Sequence, residues 1–306
     1  MKFIRYIISI LSILSLFSCE REVPYPHLAK KDVLLRVWCD VDNSDSALVS
    51  VSRLYAITHD HRDQNEYLKD LNSELSFFVN GKEVPSSAYS RGSQDQYMVR
   101  YPFKQGDDVY LECSAPDLPP VSASTRIPLV SVDDVIREFK LYEEGSKLRA
   151  DVVLNDNPDT RDAYEVFLEI SECFVDYVGG EAVHSGRHTS ERNLSIDGTV
   201  DGEIRLMDDS YADKGSGIRL MLPGYRMQAD GGYIDENGAG HTLDFWYEVR
   251  LKVHLLSEEL YYSLLASRTH DMSPSCYTNI IGGHGCLGSR VTVMSETMKI
   301  GLPCKE

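Results

Sequence analysis

Seven cysteines, at positions 19, 39, 113, 173, 276, 286 and 304, are the residues whose chemistry is easiest to anticipate. A thiol can be acylated, paired into a disulfide, or buried as a small apolar side chain. His59-Asp60-His61 would set two imidazoles on one face of a strand, as a metal site needs. No Cys or carboxylate at zinc-site spacing accompanies them, so they read as loop. His184 and His188 would share a helical face, but Gly186 and the surrounding Ser, Arg and Thr argue against a helix, and they too read as loop. Asn155-Asp156-Asn157-Pro158-Asp159 offers oxygen ligands at alternate positions. An EF-hand needs glycine where Thr160 stands and glutamate where Val166 stands, so the segment reads as a turn bonded to its own backbone. Asp40 to Asp45 reads as a solvated strand end. The glycine run Gly282–Gly288 lacks the Lys-Ser/Thr of a phosphate loop and leads from a helix into a strand, the reverse of a nucleotide motif. No Gly-x-Ser-x-Gly elbow or His-Glu-x-x-His helix occurs. No catalytic residue, metal set or cofactor is assigned.

Cys19 stands in a more specific context. Lys2 and Arg5 precede the run Tyr6–Phe17, which is apolar apart from its serines. A bilayer-spanning helix takes about 20 apolar residues, so this run has the length of a signal-peptide core instead. Leu16-Phe17-Ser18-Cys19 resembles the lipobox of bacterial lipoproteins, which implies cleavage after Ser18 and acylation of Cys19. Residues 1–18 are then the signal and residues 19–32, with Pro24 and Pro26, a polar tether. Glu20 and Glu22 resemble the acidic signal that sends Bacteroidetes lipoproteins to the cell surface.

The elements that must position any site are mostly strands. Leu35, Val37, Cys39 and Val41 alternate along one face of the first run, and Val109, Leu111 and Cys113 do so later. Asn80-Gly81 marks a tight hairpin. Short strands between turn residues predict an immunoglobulin-like β-sandwich over 33–128. A larger antiparallel β domain follows over 129–306, with long strand patterns at 164–171 and 243–255 and a turn-rich middle from 179 to 240. Ser257 caps one short helix near the C-terminus, with Glu258 and Glu259 in its first turn and Leu260, Leu264 and Leu265 on its apolar face. Asn279, Gly282, Gly283 and Gly285 form a structural loop before a last strand, Arg290–Ile300, their glycines permitting tight turns at positive φ and close backbone approach. In an exported chain disulfides are permitted, and Cys276–Cys286 is expected ahead of Cys39–Cys113.

The formal charge is −17, and losing Lys2 and Arg5 with the signal makes the remainder more acidic still. Such a surface repels phosphate backbones, which excludes a general nucleic-acid binder.

Features scattered over nearly the whole chain resemble the Bacteroidetes outer-membrane lipoproteins grouped as domain of unknown function 4249 (DUF4249). They are the lipobox, the segment Val121-Ser122-Ala123-Ser124-Thr125-Arg126-Ile127-Pro128, and the aspartate turns Asn155-Asp156 and Asp208-Asp209. To these the C-terminus adds Leu256-Ser257-Glu258-Glu259-Leu260-Tyr261-Tyr262, then Thr278-Asn279-Ile280 with Gly282-Gly283 and Gly285. Gly283-His284-Gly285-Cys286-Leu287 departs from the family's Gly-Leu-Gly followed by an aromatic. The resemblance implies a non-enzymatic lipoprotein held in the outer membrane by the lipid on Cys19. It also implies a TonB-dependent transporter as partner and no catalytic residues to carry over. A glycan or peptide is the ligand class to expect. The alternatives are a surface glycan-acting hydrolase using paired carboxylates, or an adhesin or fimbria-like component. Replacing Cys19 by Ser should abolish acylation and signal removal; metabolic labelling with a fatty-acid analogue reads this, and a labelled variant would refute it.

Overall fold

A computed structural model describes residues 33–55, 71–92, 95–155, 161–212, 217–228, 231–268 and 277–301. The signal, tether and Cys19 lie outside the described residues, as do His59-Asp60-His61, residues 156–160, Cys276 and Cys304. The protein is mainly β. Its first eight strands are β1 (Leu34–Val41), β2 (Ser46–Leu54), β3 (Glu74–Val79), β4 (Lys82–Glu83), β5 (Tyr89–Arg91), β6 (Gln96–Arg100), β7 (Asp108–Ala115) and β8 (Leu118–Arg126). A single turn of helix, α1 (Val132–Val135), leads to β9 (Ile136–Glu144), β10 (Lys147–Leu154), β11 (Ala163–Val178) and β12 (Glu181–Ser195). Then come β13 (Glu203–Ile204), β14 (Leu206–Asp208), β15 (Ile218–Met221), β16 (Tyr225–Arg226), β17 (Gly231–Ile234) and β18 (Gly240–Leu256). Helix α2 (Glu258–Arg268) precedes β19 (His284–Met294) and β20 (Met298–Ile300).

The alternating sequences fold as their pattern dictates. Leu35, Val37, Cys39 and Val41 are buried along one face of β1, and Val109, Leu111 and Cys113 along one face of β7. The sheet segment β19-β1-β2-β6-β5 lies over the four-stranded sheet β4-β3-β7-β8, and the two share one core that includes Val49, Val99, Phe77, Val121 and Ile127. Asn80 and Gly81 adopt φ of 52° and 74°, the pair of positive values a two-residue hairpin needs. In the second half β11 is central, pairing with β12 on one side and β18 on the other. β10 carries β9 on one edge and β15 on the other, and its Leu148, Ala150, Val152 and Leu154 share the core with Val166, Leu168, Val249 and Leu251.

The division expected at residue 128 is crossed by one strand. β19 pairs in parallel with β1 from His284 to Ser289, then antiparallel with β18 from Arg290 to Met294. The strand begins at His284, so the last part of the glycine run is sheet, not loop. Asn279 copies a strand partner with its side chain, donating to Leu287 O at 2.8 Å and accepting from Leu287 N at 3.0 Å. It also donates to Ser124 O at 3.3 Å, while Ile281 and Ser122 exchange backbone hydrogen bonds of 2.8 and 3.1 Å. The segment therefore stitches β8 to β19. Gly285 has φ +115°, and a Cβ there would lie 1.9 Å from Val37 O. At Gly283 the expected close backbone approach applies, not a positive φ. Its φ is not positive, but a Cβ would stand 2.5 Å from Leu35 O and 2.6 Å from Val121 Cγ1.

Helix α2 starts as expected, with the Ser257 hydroxyl accepting from Leu260 N at 3.3 Å. The same oxygen accepts from Ser289 N at 3.1 Å, and Ser257 N donates to Ser289 O at 2.8 Å, so the cap also docks the helix on β19. Leu260 and Tyr261 are buried against Ala163, Leu206 and Leu256, whereas Leu265, expected on that face, is exposed.

The disulfide expected between Cys39 and Cys113 is not formed. Both are free, buried thiols in opposite sheets. Burial pushes both thiols up, Cys113 to about 12, so they stay protonated as small apolar side chains of the shared core. Cys286, expected to pair with Cys276, is likewise a free thiol that donates to Glu259 O at 3.5 Å; burial pushes it up to about 12. Gly285→Ala and Gly283→Ala should each lose more than about 1 kcal/mol, the upper end of what Gly→Ala gains at a compatible site. Gly240→Ala, which meets nothing within 4 Å, should change little. Thermal melts of the three variants check this.

Candidate binding groove

Strand β12 lies where the sequence reads as turn-rich loop. Its residues are polar on both faces and mostly exposed, so no apolar alternation marks it. His184 and His188 sit on it, exposed, with His184 against the Phe174 ring at 5.7 Å. β12 meets β15 only at Ser195 and Met221. Beyond that bridge the strands part. β15 continues through Leu222, Pro223 and Gly224 into β16, which stays on β10 with Tyr225 opposite Leu148. The space that opens between β12 and the β15–β16 run is a groove of about 610 Å³. Glu191, Arg192 and Asn193 line one side and residues 222–226 the other, with Glu172, Glu203, Arg205 and Gln228 completing it.

Tyr225 is the aromatic residue of its lining, and the buried Tyr247 stands in the core behind it. Tyr225 and Tyr247 meet edge to face at 6.1 Å, and Arg192 lies over the Tyr225 ring at 5.2 Å. The Tyr247 hydroxyl accepts from Gln228 N at 2.6 Å and donates to Glu172 at 3.4 Å; burial pushes its pKa up to about 12, so it stays a donor. The other carboxylates are also held. Glu191 pairs with Arg205 at 2.9 Å, and Glu203 accepts from Asn193 Nδ2 at 3.3 Å. Among the described residues neither Arg192 nor Arg226 has a carboxylate within 4 Å. Two exposed guanidiniums, one of them over the Tyr225 ring, can recognise a carboxylate while that ring takes up an apolar or planar group.

Arg205 is fixed from behind by a row of charges across the sheet. Its Nε donates to Glu165 at 2.9 Å and its guanidinium lies 4.4 Å from the Phe167 ring centre. Glu165, buried to 7% exposure, also receives Arg268 at 3.3 Å and faces Arg290 at 3.8 Å. Arg290 pairs with Asp40 on β1 at 2.8 Å. The row thus links the groove to the first strand of the chain. Burial raises the Asp40 carboxyl to about 6 despite Arg290, with Asp42 and Glu165 adding to the rise. Asp40 is therefore not the solvated strand end expected, and its Oδ1 is buried without a hydrogen bond. His254 beside it is lowered to about 4, first by burial and then by Arg290, Lys252 and Arg205; its Nδ1 contacts Thr292 Oγ1 at 2.8 Å.

A second cluster missed by sequence reasoning lies at the far end of β11 and β18. His241 Nδ1 sits 2.8 Å from buried Asp176, its ring stacks on Tyr233 at 4.3 Å, and its Nε2 faces Asp235 at 3.7 Å. The Tyr233 hydroxyl donates to the same Asp176 at 3.1 Å, so these side chains pin β17 to the hairpin. Of the sites anticipated, Asn279, Gly282, Gly283 and Gly285 come together with Cys286 at the β1–β19 junction, away from the groove. The groove residues carry no motif; only the lone aromatic Tyr225 after Pro223-Gly224 could have drawn notice. Comparison with protein-family models and with curated proteins finds no match to this chain.

The row makes opposing contributions to acid stability. Asp40, with its raised pKa, favours the folded state at low pH and loses that contribution as pH rises from about 4 to about 6. His254, with its lowered pKa, contributes above about 6.5 and loses that as pH falls to about 4. The two offset one another in the same window. Asp40→Asn should therefore steepen the loss of stability between pH 6.5 and 4.5, read as urea midpoints; a profile parallel to the unsubstituted protein would contradict the assignment.

Proposed function

We propose that this chain is a non-enzymatic, lipid-anchored protein of the bacterial outer membrane, one that presents the groove between β12 and β16 at the cell surface and assists a TonB-dependent transporter. The groove carries the reading. It is open and polar, it carries the Tyr225 ring with Tyr247 buried behind it, and its carboxylates are engaged by neighbouring donors. That arrangement suits reversible recognition of a ligand. Pockets of roughly 300–1,000 Å³ with a few fixed polar groups are the usual size for such binding. The signal-like run ending in Ser18-Cys19 supports the address, and the resemblance to DUF4249 supports the partnership.

Binding of cargo or of the transporter itself would be governed by Arg192, Arg226 and Tyr225. In cells whose own copy is deleted, Tyr225→Ala and Arg226→Glu should remain acylated and reach the surface. They should nevertheless lower uptake through the transporter encoded alongside toward the deletion level. Uptake equal to that of the unsubstituted protein would sink the proposal.

A further inference from the structure

The groove is the gap left by a missing strand. A strand has two edges, and β10 gives one of them wholly to β9, from Lys147 to Leu154. β15 and β16 therefore lie one after the other along the other edge of β10, with Met221 opposite Asp151 and Tyr225 opposite Leu148. Leu222 N donates to Ala150 O at 2.9 Å and Met227 N to Ser146 O at 2.9 Å, so this run keeps its backbone turned to β10 on that side. Its outer side faces β12. Among the described residues β12 pairs from Glu181 to Asn193 with β11 alone, and reaches other strands only at Leu194 and Ser195. Two strand edges thus face each other across the groove, joined at one end by the Ser195–Met221 bridge.

The lining confirms that the cavity follows an edge. Along β12 alternate residues point to opposite faces. Arg192 shares its face with buried Leu194, while Glu191 and Asn193 occupy the other, yet all three line the groove. A cavity reached from both faces of a strand runs beside its backbone. Unpaired N–H and C=O groups along an edge form a template for another chain, and a long open edge is a hazard unless something limits what can add. Here the facing β15–β16 run limits it, because a slot closed at one end between two edges admits one strand and not a stack.

We infer that an extended segment of a partner protein enters this slot, pairing with the edge of β12 and placing a carboxylate at Arg192 and Arg226. This rests on the groove being the binding site and names its ligand class. Backbone pairing supplies affinity in such additions, and side-chain pockets supply selectivity. The carboxylate follows from charge: Arg205 is already occupied by Glu165 and Glu191, whereas Arg192 and Arg226 have no acidic partner among the described residues.

The test uses the full chain and three synthetic peptides. One is Thr-Val-Glu-Val-Glu-Val-Thr, one has lysine in place of glutamate, and one is the acidic peptide N-methylated at alternate residues. Amide hydrogen exchange is followed in residues 187–193. The acidic peptide should slow exchange there by about tenfold or more, and the other two should not. Arg192→Glu and Arg226→Glu, checked by thermal melt for intact folding, should transfer the preference to the lysine peptide. Protection by the N-methylated peptide would overturn strand pairing, and equal protection by both charged peptides would overturn the role of the arginines. Protection by a linear oligosaccharide such as maltoheptaose, with none from any peptide, would overturn this inference and leave the groove as a binding site. Failure of the groove itself would appear separately, as unchanged uptake in the cellular experiment.

Discussion

The parallel pairing of β1 with β19 is the constraint on which the rest of the structure depends. Gly285 lies so close to Val37 O that a side chain there would collide with the backbone, and Gly283 is hemmed in by Leu35 and Val121. Once β19 is seated on β1, its continuation pairs with β18 and its Ser289 receives the cap of α2. One strand thereby belongs to both halves of the chain. The core that runs from Val37 to Leu251 is continuous because of it. Asn279 closes the same junction from outside by standing in as a strand residue for Leu287.

Electrostatics is organised around this junction too. In a chain of net charge −17, the outer face of the central strands carries Arg205, Lys252, Arg268 and Arg290 around Glu165. Burying a carboxylate such as Glu165 is costly unless several donors surround it. Its three arginines come from the β13–β14 junction, from the end of α2 and from β19, so one buried charge ties together three elements that are distant in sequence. Arg205 is held by the same charge, which is why a groove residue inherits its orientation from the middle of the sheet.

Most of the fold was legible because its strands are half-buried. The alternation in β1, β7 and β10 is the direct imprint of one face on the core, and Ser257 with its two glutamates announces a helix start. β12 escaped notice because water reaches both of its faces, and a strand without a buried face leaves no periodic trace. The groove was hidden for the same reason. Tyr225 and Tyr247 are distant in sequence, and no spacing rule links them. The cysteines illustrate a subtler limit: alternation placed Cys39 and Cys113 on inward faces, but whether two inward thiols meet across a core is a matter of tertiary packing. In the glycine segment two roles were expected, tight turns and close backbone approach, and the atoms around Gly283 show the second.

The shared strand also sets an order of events during folding. The partner of β1 on its outer edge is β19, and everything from β2 to α2 separates them along the chain. Closing that contact carries the entropic cost of a very long loop, and contacts of this kind form late and slow the overall rate. Because the chain is made from its N-terminus, β1 and β2 can pair almost at once, yet the first sandwich waits with one edge bare until residues 284–289 arrive. Until then the Val37 carbonyl and its neighbours on that edge are open to any other strand, including that of a second copy. Among the described residues the first strand is completed by the last long one, so the native state is reached only through an interval in which an edge of the first sheet stands open.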